Sequence, residues 1–257
     1  MAVRTARRNR TLLATGGAVL VALVATGCGG ADASDSPVEK KNFAFSGKAL
    51  TIDADNSALD LVPADVKEIQ VERQVDGWAL LGSGPDPRWT LDGDTLTLKV
   101  GCTGISMDCE ARHSVKVPRG VAVTLNNDNG RVRATGFDTD LKITSDNGEV
   151  RLKDVSGGKL DVESDNGKIH AEGLSARSVR AESDNGEVEL GFTAVPDLVD
   201  SHSSNGAIRL GLPKSTYKVD AASSNGRVTV DVPKADNSPH VVKVRSDNGE
   251  INLRSAN

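Results

Sequence analysis

A short Asn-Gly signature recurs seven times in the second half of this chain. It reads NDNGRV from Asn127, SDNGEV from Ser145, SDNGKI from Ser164, SDNGEV from Ser183, SSNGAI from Ser203, SSNGRV from Ser223 and SDNGEI from Ser246. Its glycines are Gly130, Gly148, Gly167, Gly186, Gly206, Gly226 and Gly249, at intervals of 18, 19, 19, 20, 20 and 23 residues. So regular a period makes each copy one structural unit, which must bury its apolar face against its neighbours. Asp55-Asn56-Ser57 reads as a degenerate eighth copy at the start.

Apolar residues stand at fixed offsets from each Gly. Two positions after it come Val132, Val150, Ile169, Val188, Ile208, Val228 and Ile251; four after it come Ala134, Leu152, Ala171, Leu190, Leu210, Val230 and Leu253. Seven before it come Val123, Leu141, Leu160, Val179, Val199, Val219 and Val242. Five before it the pattern holds except at Ser201. Alternation on both sides of the Asn-Gly predicts two short half-buried strands per repeat. No stretch beyond residue 28 has a helical period.

Two all-β architectures fit: an antiparallel meander or sandwich with Asn-Gly hairpins, and a solenoid of ~19-residue coils stacked in parallel. Charge separates them. A hairpin would set Asp146 against Glu149, Asp184 against Glu187 and Asp247 against Glu250, which is unfavourable. In a solenoid each residue stacks on its counterpart one repeat later, about 4.8 Å away. The residues after Gly then run Arg131, Glu149, Lys168, Glu187, Ala207, Arg227, Glu250, so opposite charges mostly meet. The column six before Gly (Lys142, Asp161, Arg180, Asp200, Asp220, Lys243) alternates almost as well. The solenoid is the expected fold. Seven coils would extend it by roughly 34 Å.

The start of the chain belongs to export rather than to the fold. Arg4, Arg7, Arg8 and Arg10 precede an apolar stretch from Leu12 to Ala25, which ends in Val24-Ala25-Thr26-Gly27-Cys28. That ending resembles the lipobox of bacterial lipoproteins. The resemblance implies a signal peptide over 1–27, cleavage before Cys28, and a lipidated thioether with fatty-acyl (palmitate-type) chains at Cys28. Losing four Arg and no acid leaves 27 basic and 36 acidic side chains, a net charge of −9. Such a chain is not drawn to an anionic lipid surface, so the lipid would have to hold it at the extracytoplasmic face of the cell membrane. Residues 28–42 read as the lipidated Cys and a flexible polar tether. Residues 43–120 form an N-terminal β region, and 121–257 the solenoid repeats. Cys102 and Cys109, seven positions apart in an exported chain, are expected to close a disulfide loop.

The repeats resemble the bacterial putative-adhesin β-strand-repeat family, a domain of unknown function, through runs such as DVSGGKLDVESDNG. The match is clear over Val121–Asn257 and loose over Phe43–Gly120. It implies a right-handed single-chain parallel β-helix in a cell-envelope setting, and no catalytic residue.

The Asn column (Asn129, Asn147, Asn166, Asn185, Asn205, Asn225, Asn248) reads first as a structural ladder of stacked amides in a turn that Asn tolerates. The neighbouring Gly is expected to supply a positive φ. Asp128, Asp146, Asp165 and Asp184 fall in consecutive repeats, where stacked carboxylates repel. They would cap their own turns or, less favoured, hold calcium between them.

The chain carries 31 basic and 36 acidic residues, with no basic cluster after the tenth position, which argues against nucleic acid. Only seven residues are aromatic, too few for a stacking cleft. His113, His170, His202 and His240 lack metal-ligand spacing to Cys, and His170 and His202 fall on outward positions. No cofactor is expected.

A non-catalytic adhesin-like binding or scaffold module follows, monomeric, contacting wall polymer or an envelope protein through mixed outward charges such as Arg131, Arg133, Arg151, Lys153, Glu187, Glu189 and Arg209. The alternative is a polysaccharide-acting β-helix enzyme. It would require Asp76, Asp86, Asp108, Glu110, Arg112 and His113, from the non-repeating region, to converge. Trp78 and Trp89 in that region are read as core capping the first coil or as an exposed contact patch.

Overall fold

The computed structural model describes residues 36–81, 85–101 and 105–256. The signal segment, Cys28, the first part of the tether and Cys102 lie outside them. Among the described residues every regular element is a strand. Before the first signature come β1 (Glu39–Ala44), β2 (Ala49–Asp55), β3 (Ser57–Ala64), β4 (Glu68–Leu81), β5 (Asp86–Asp92), β6 (Thr95–Gly101) and β7 (Ile105–Pro118). Then follow the strand pairs flanking each Asn-Gly: β8 (Ala122–Asn129) and β9 (Val132–Thr135), β10 (Leu141–Asn147) and β11 (Val150–Lys153), β12 (Lys159–Asn166) and β13 (Ile169–Leu174), β14 (Ser178–Ser183) and β15 (Val188–Phe192). The last three pairs are β16 (Leu198–Ser203) and β17 (Ile208–Leu212), β18 (Lys218–Ser223) and β19 (Val228–Asp231), β20 (Val241–Ser246) and β21 (Ile251–Ser255).

Strands before each signature build one sheet and strands after it build the other. The two sheets run β18-β20-β16-β14-β12-β10-β8-β2-β6-β5 and β1-β4-β7-β3-β9-β11-β13-β15-β17-β21-β19. All pairings among the repeats are parallel, with equivalent positions in register, such as Leu141 on Leu160 and Val150 on Ile169. The fold is therefore a parallel β-solenoid, not the antiparallel meander. Antiparallel pairing is confined to β1–β4, β4–β7 and β5–β6.

The inward positions predicted from the offsets form the core: Leu141, Ile143, Val150 and Leu152 of one coil are all sealed, as are Leu160, Val162, Ile169 and Ala171 of the next. Phe137, Val155 and Leu174 close the third side, where the connecting loops also stack through Ser156 N–H to Phe137 O (2.8 Å) and Ser175 N–H to Val155 O (2.9 Å).

Coil order departs from sequence order at both ends. β2 and β3 lie between β8/β9 and β6/β7, so the second coil in sequence is the outer one. At the far end the last pair, β20/β21, lies between β16/β17 and β18/β19. Strict succession of coils, assumed in reading the charge columns, is thus corrected. The physical reason is in the same columns. Succession would place Asp200 beside Asp220, whereas the observed order interposes Lys243 between them. The longest repeat interval, Gly226 to Gly249, supplies the chain needed to return.

The two ends are finished differently. Next to β3, the long antiparallel pair β4 and β7, with β1 and the β5–β6 hairpin, buries Phe43, Ile69, Val71, Leu96, Val115 and Val117. At the other end β18 and β19 are bare edges.

Candidate functional site

The corner of each coil is a built polar column. Asn side chains donate Nδ2 to Oδ1 along it without interruption: Asn129 to Asn56 (3.1 Å), Asn147 to Asn129 (3.1 Å), Asn166 to Asn147 (3.2 Å), Asn185 to Asn166 (3.0 Å), Asn205 to Asn185 (3.0 Å), Asn248 to Asn205 (3.0 Å) and Asn225 to Asn248 (3.0 Å). The degenerate copy thus contributes Asn56 as the first rung, at φ 52°. The second Nδ2 proton of several rungs reaches the carbonyl of the neighbouring coil's Asp, as at Asn205 to Asp184 O (3.4 Å).

Glycine is required here chiefly by contact. Only Gly130 and Gly148 of the column have positive φ. A Cβ on Gly167, Gly186, Gly206, Gly226 or Gly249 would sit 1.9–2.0 Å from the carbonyl oxygen of the Gly in the adjoining coil. The expected role of φ is therefore corrected: the coils approach too closely at this corner for any side chain.

The Ser that opens most signatures is a column the sequence reading passed over. Ser183 Oγ donates to Gly167 O (3.2 Å), Ser203 to Gly186 O (3.0 Å), Ser246 to Gly206 O (3.1 Å) and Ser223 to Gly249 O (2.8 Å). Ser145 and Ser164 are buried with unpartnered hydroxyls, and in the first copy Asn127 Nδ2 instead reaches the Gly carbonyl of its own coil, Gly130 O at 3.0 Å. The signal was available, since position −3 shares the inward parity of −5 and −7.

Asp128, Asp146, Asp165 and Asp184 are exposed beside the Asn column. Desolvation, together with Asp55 and Asp146, raises the Asp128 pKa above the ordinary carboxylate value. Among the described residues no three His, Cys, Asp or Glu come together in a group able to hold a metal ion. Nor does any of these four carboxylates accept a turn N–H; Asp184 Oδ1 accepts from the Ser204 hydroxyl of the next coil at 3.5 Å.

The outward charges of the β9–β17 face are engaged with one another. Glu149 meets Arg151 (2.8 Å) and Arg131 (3.7 Å), Asp60 meets Arg112 (3.0 Å) and Arg133 (3.6 Å), and Lys153 meets Glu172 (3.3 Å). Lys168 meets Glu189 (3.0 Å) and Glu187 (3.5 Å), and Arg209 also reaches Glu187. His170 Nδ1 lies 3.1 Å from Glu189, whose pKa the Lys168 and His170 contacts lower. Pairs this exposed contribute little stability each, but they fix a lattice of mixed charge.

The six residues required for a catalytic cleft do not all converge: the β4–β7 register sets Asp76, Glu110 and Arg112 on one face, while Asp86 and His113 lie elsewhere. Asp76 and Glu110 face one another across β4 and β7, and Asp108 lies opposite Trp78. Asp86 is in the other sheet, paired with Arg88 at 2.9 Å. Arg112 points outward to Asp60, and His113, one residue on, points into the core. There His113 Nδ1 lies 2.6 Å from Ser57 Oγ, its Nε2 has no partner, and burial beside Arg73 lowers its pKa to about 4. Arg73 is itself buried. Its guanidinium bonds Glu39 (2.7 Å from Nε), donates to Pro87 O (3.3 Å) and lies 3.9 Å over the Trp89 ring. Trp89 thus packs on the core as a lid over the first coils. A hollow of about 420 Å³ beside this cap is lined by Asn56, Ser57, Cys109, Glu110, Asn129 and Arg131. Cys109 lies opposite Gly77 on β4.

A family model described as Toastrack DUF4097 matches residues 90–254, a span that includes all seven signatures. The chain belongs to the Toastrack DUF4097 family. The Toastrack match starts within β5 and runs through β21, so β1 to β4 precede it. No curated protein matches the chain in sequence. Among solved structures, a putative adhesin from Bacteroides fragilis aligns with a TM-score of 0.54 at 16% identity, over 86% of this chain and 97% of that one. A putative cell adhesion protein from Clostridium sporogenes aligns at 0.39 and 14% identity, over 86% and 99%. A putative adhesin from Parabacteroides merdae aligns at 0.46 and 13%, over 85% and 97%. At such identities the Bacteroides likeness speaks to the Toastrack fold alone.

Proposed function

We propose that this protein is a non-catalytic, lipid-anchored scaffold at the extracytoplasmic face of the cell membrane, which binds an extended envelope partner, wall polymer above all, along its β9–β17 face. The observation that carries the reading is the lattice of paired charges on that face, from Asp60 and Arg133 to Glu187 and Arg209. A flat, regular, mixed-charge surface recognises a long polar ligand at many weak points, and solenoids commonly bind this way. The name of the Bacteroides structure, a putative adhesin, supports a binding role. Glu39–Asn42, expected to belong to the tether, are instead part of β1, so the lipid at Cys28 and the shorter segment before β1 would hold the solenoid outside the membrane while letting it reach outward.

The test is co-sedimentation of the full chain in detergent with purified wall sacculi. It is run beside the triple variant Arg133→Ser, Arg151→Ser, Lys153→Ser and an assay for soluble glycan fragments. Retention that the triple variant loses supports the proposal. Absence of retention, or release of fragments, overturns it. The anchor is tested separately: Cys28→Ala should move the protein from the membrane fraction to the soluble one, and persistence with the membrane would refute lipid attachment.

A further inference from the structure

The end of the solenoid opposite the Trp89 lid is unfinished. β18 and β19 are the last strands of their sheets. Val228 is 38% exposed, whereas its counterparts Val188, Ile208 and Ile251 in the inner coils are 0% exposed. Val219, Ala221 and Val230 are likewise only half-buried. An apolar edge of this kind is a template for further strand pairing unless something occupies it.

The pattern of β19 specifies the occupant. Ile251 N–H donates to Arg227 O (2.9 Å), so Arg227, Thr229 and Asp231 turn their backbone groups toward β21. Val228 and Val230 therefore turn theirs to the free side. Their side chains point inward, and those of Arg227, Thr229 and Asp231 point to solvent. Among the described residues, neither Arg227 nor Asp231 forms an ion pair in its own chain; the equivalent charges Arg131, Glu149, Lys168 and Glu187 of inner coils do, whereas Glu250 and Arg254 of the adjoining β20–β21 coil do not.

We infer that β19 pairs antiparallel with β19 of a second copy, joining two solenoids end to end about a two-fold axis at Thr229. With that register, Val228 opposes Val230 of the second copy and the reverse. These are the hydrogen-bonded pairs of an antiparallel ladder, and their side chains complete the open core. Thr229 opposes itself, and Arg227 opposes Asp231 twice. Both are non-hydrogen-bonded positions, where facing side chains come closest. Backbone parity, apolar burial and charge thus agree on one register, and each strand of the pair supplies what the other lacks. A monomer, as expected from sequence, is the state this reading replaces.

Sedimentation equilibrium of the full chain, in density-matched detergent with micelles in excess, tests the inference. The wild type should form a dimer. Arg227→Asp and Asp231→Arg should each weaken it at least tenfold, by setting like charges opposite, and the double swap should restore it. Thr229→Cys should give a dimer cross-linked under oxidation through the two introduced thiols, since facing Cα atoms at this position are within disulfide reach. A monomeric wild type, a dimer indifferent to both single variants, or singles not rescued by the swap would each overturn the inference. Both residues are exposed, so the substitutions leave the fold intact.

Discussion

Ser57 Oγ and His113 Nδ1 lie 2.6 Å apart with both side chains sealed from solvent, in the one place where the solenoid core holds an imidazole. The pair ties β3 to β7 at the start of the coil stack. Its geometry suits a neutral ring: the Arg73 guanidinium acts on it with positive charge, and among the described residues Nε2 has no acceptor to stabilise a second proton.

Stability should consequently fall in mild acid. The His113 pKa is about 4 in the fold against an ordinary 6.5, so between these values the unfolded chain binds more protons and stability rises with pH. The contribution is complete above pH 6.5 and lost as the pH drops toward 4. It is on the order of 3 kcal/mol. Denaturant unfolding of the wild type and His113→Leu at several pH values checks this. The variant should show a flatter dependence over that window, whatever its absolute stability.

Gly186 and Gly191 belong to the same coil yet should respond oppositely to Ala. A Cβ at Gly186 would meet Gly167 O at 2.0 Å, whereas at Gly191 the nearest atom is 3.7 Å away. Gly186→Ala is expected to cost roughly 3 kcal/mol by forcing adjoining coils apart. Gly191→Ala, in an extended strand, should be neutral or slightly stabilising because the unfolded chain loses freedom. Thermal melts of the two variants make the comparison.

The Asn ladder predicts a positional gradient. Asn185 donates to Asn166 and accepts from Asn205, while Asn225, the terminal rung, donates to Asn248 and accepts from no other Asn. Asn185→Ala breaks the ladder on both sides and should cost about 2 kcal/mol; Asn225→Ala should cost about half as much. Equal effects would mean that the amides stack without cooperating.

A Cys102–Cys109 bridge would brace the cap. A loop this short should stabilise the protein by about 2 kcal/mol. Proteolysis without reductant should yield the peptides carrying Cys102 and Cys109 joined and two hydrogens lighter, and reductant should lower the melting temperature. Unlinked peptides would show that β7 holds its place without the bridge.

What could be read in advance was whatever repeats. Strand pairs, inward parity and the Asn column follow from offsets around each Gly, because a parallel stack sets identical positions on one another. Coil order was hidden because every coil carries the same signature, so any coil can follow any other. Only a non-repeating clue, the Asp200–Lys243–Asp220 alternation, favours one order. Grouping His113 with Arg112 requires two neighbours to face one site, which strand alternation forbids once Ile105–Pro118 is a strand; outside the repeats no Asn-Gly offset marks that strand. The Gly contact was likewise invisible, since conformational freedom and close approach select the same residue.

The inserted last coil gives the sharpest test of the topology. β20 and β21 each have a strand on either side, and Lys243 lies between Asp200 and Asp220. In a solenoid stacked in sequence order, deleting residues 241–257 would remove one terminal coil and leave β18 and β19 folded on β16 and β17. In this protein the deletion removes β20 and β21, the strands on which β18 and β19 pair. Closing the gap would set Asp200 against Asp220 and would require new paths for the loops around Tyr217 and Pro233, which now bond each other (2.9 Å from Tyr217 N to Pro233 O). Amides of residues 218–231 should therefore exchange as fast as in an unfolded chain, while those of β10 to β13 keep their protection. Hydrogen exchange read by mass spectrometry distinguishes the outcomes, and slow exchange across 218–231 in the truncated chain would contradict the observed coil order.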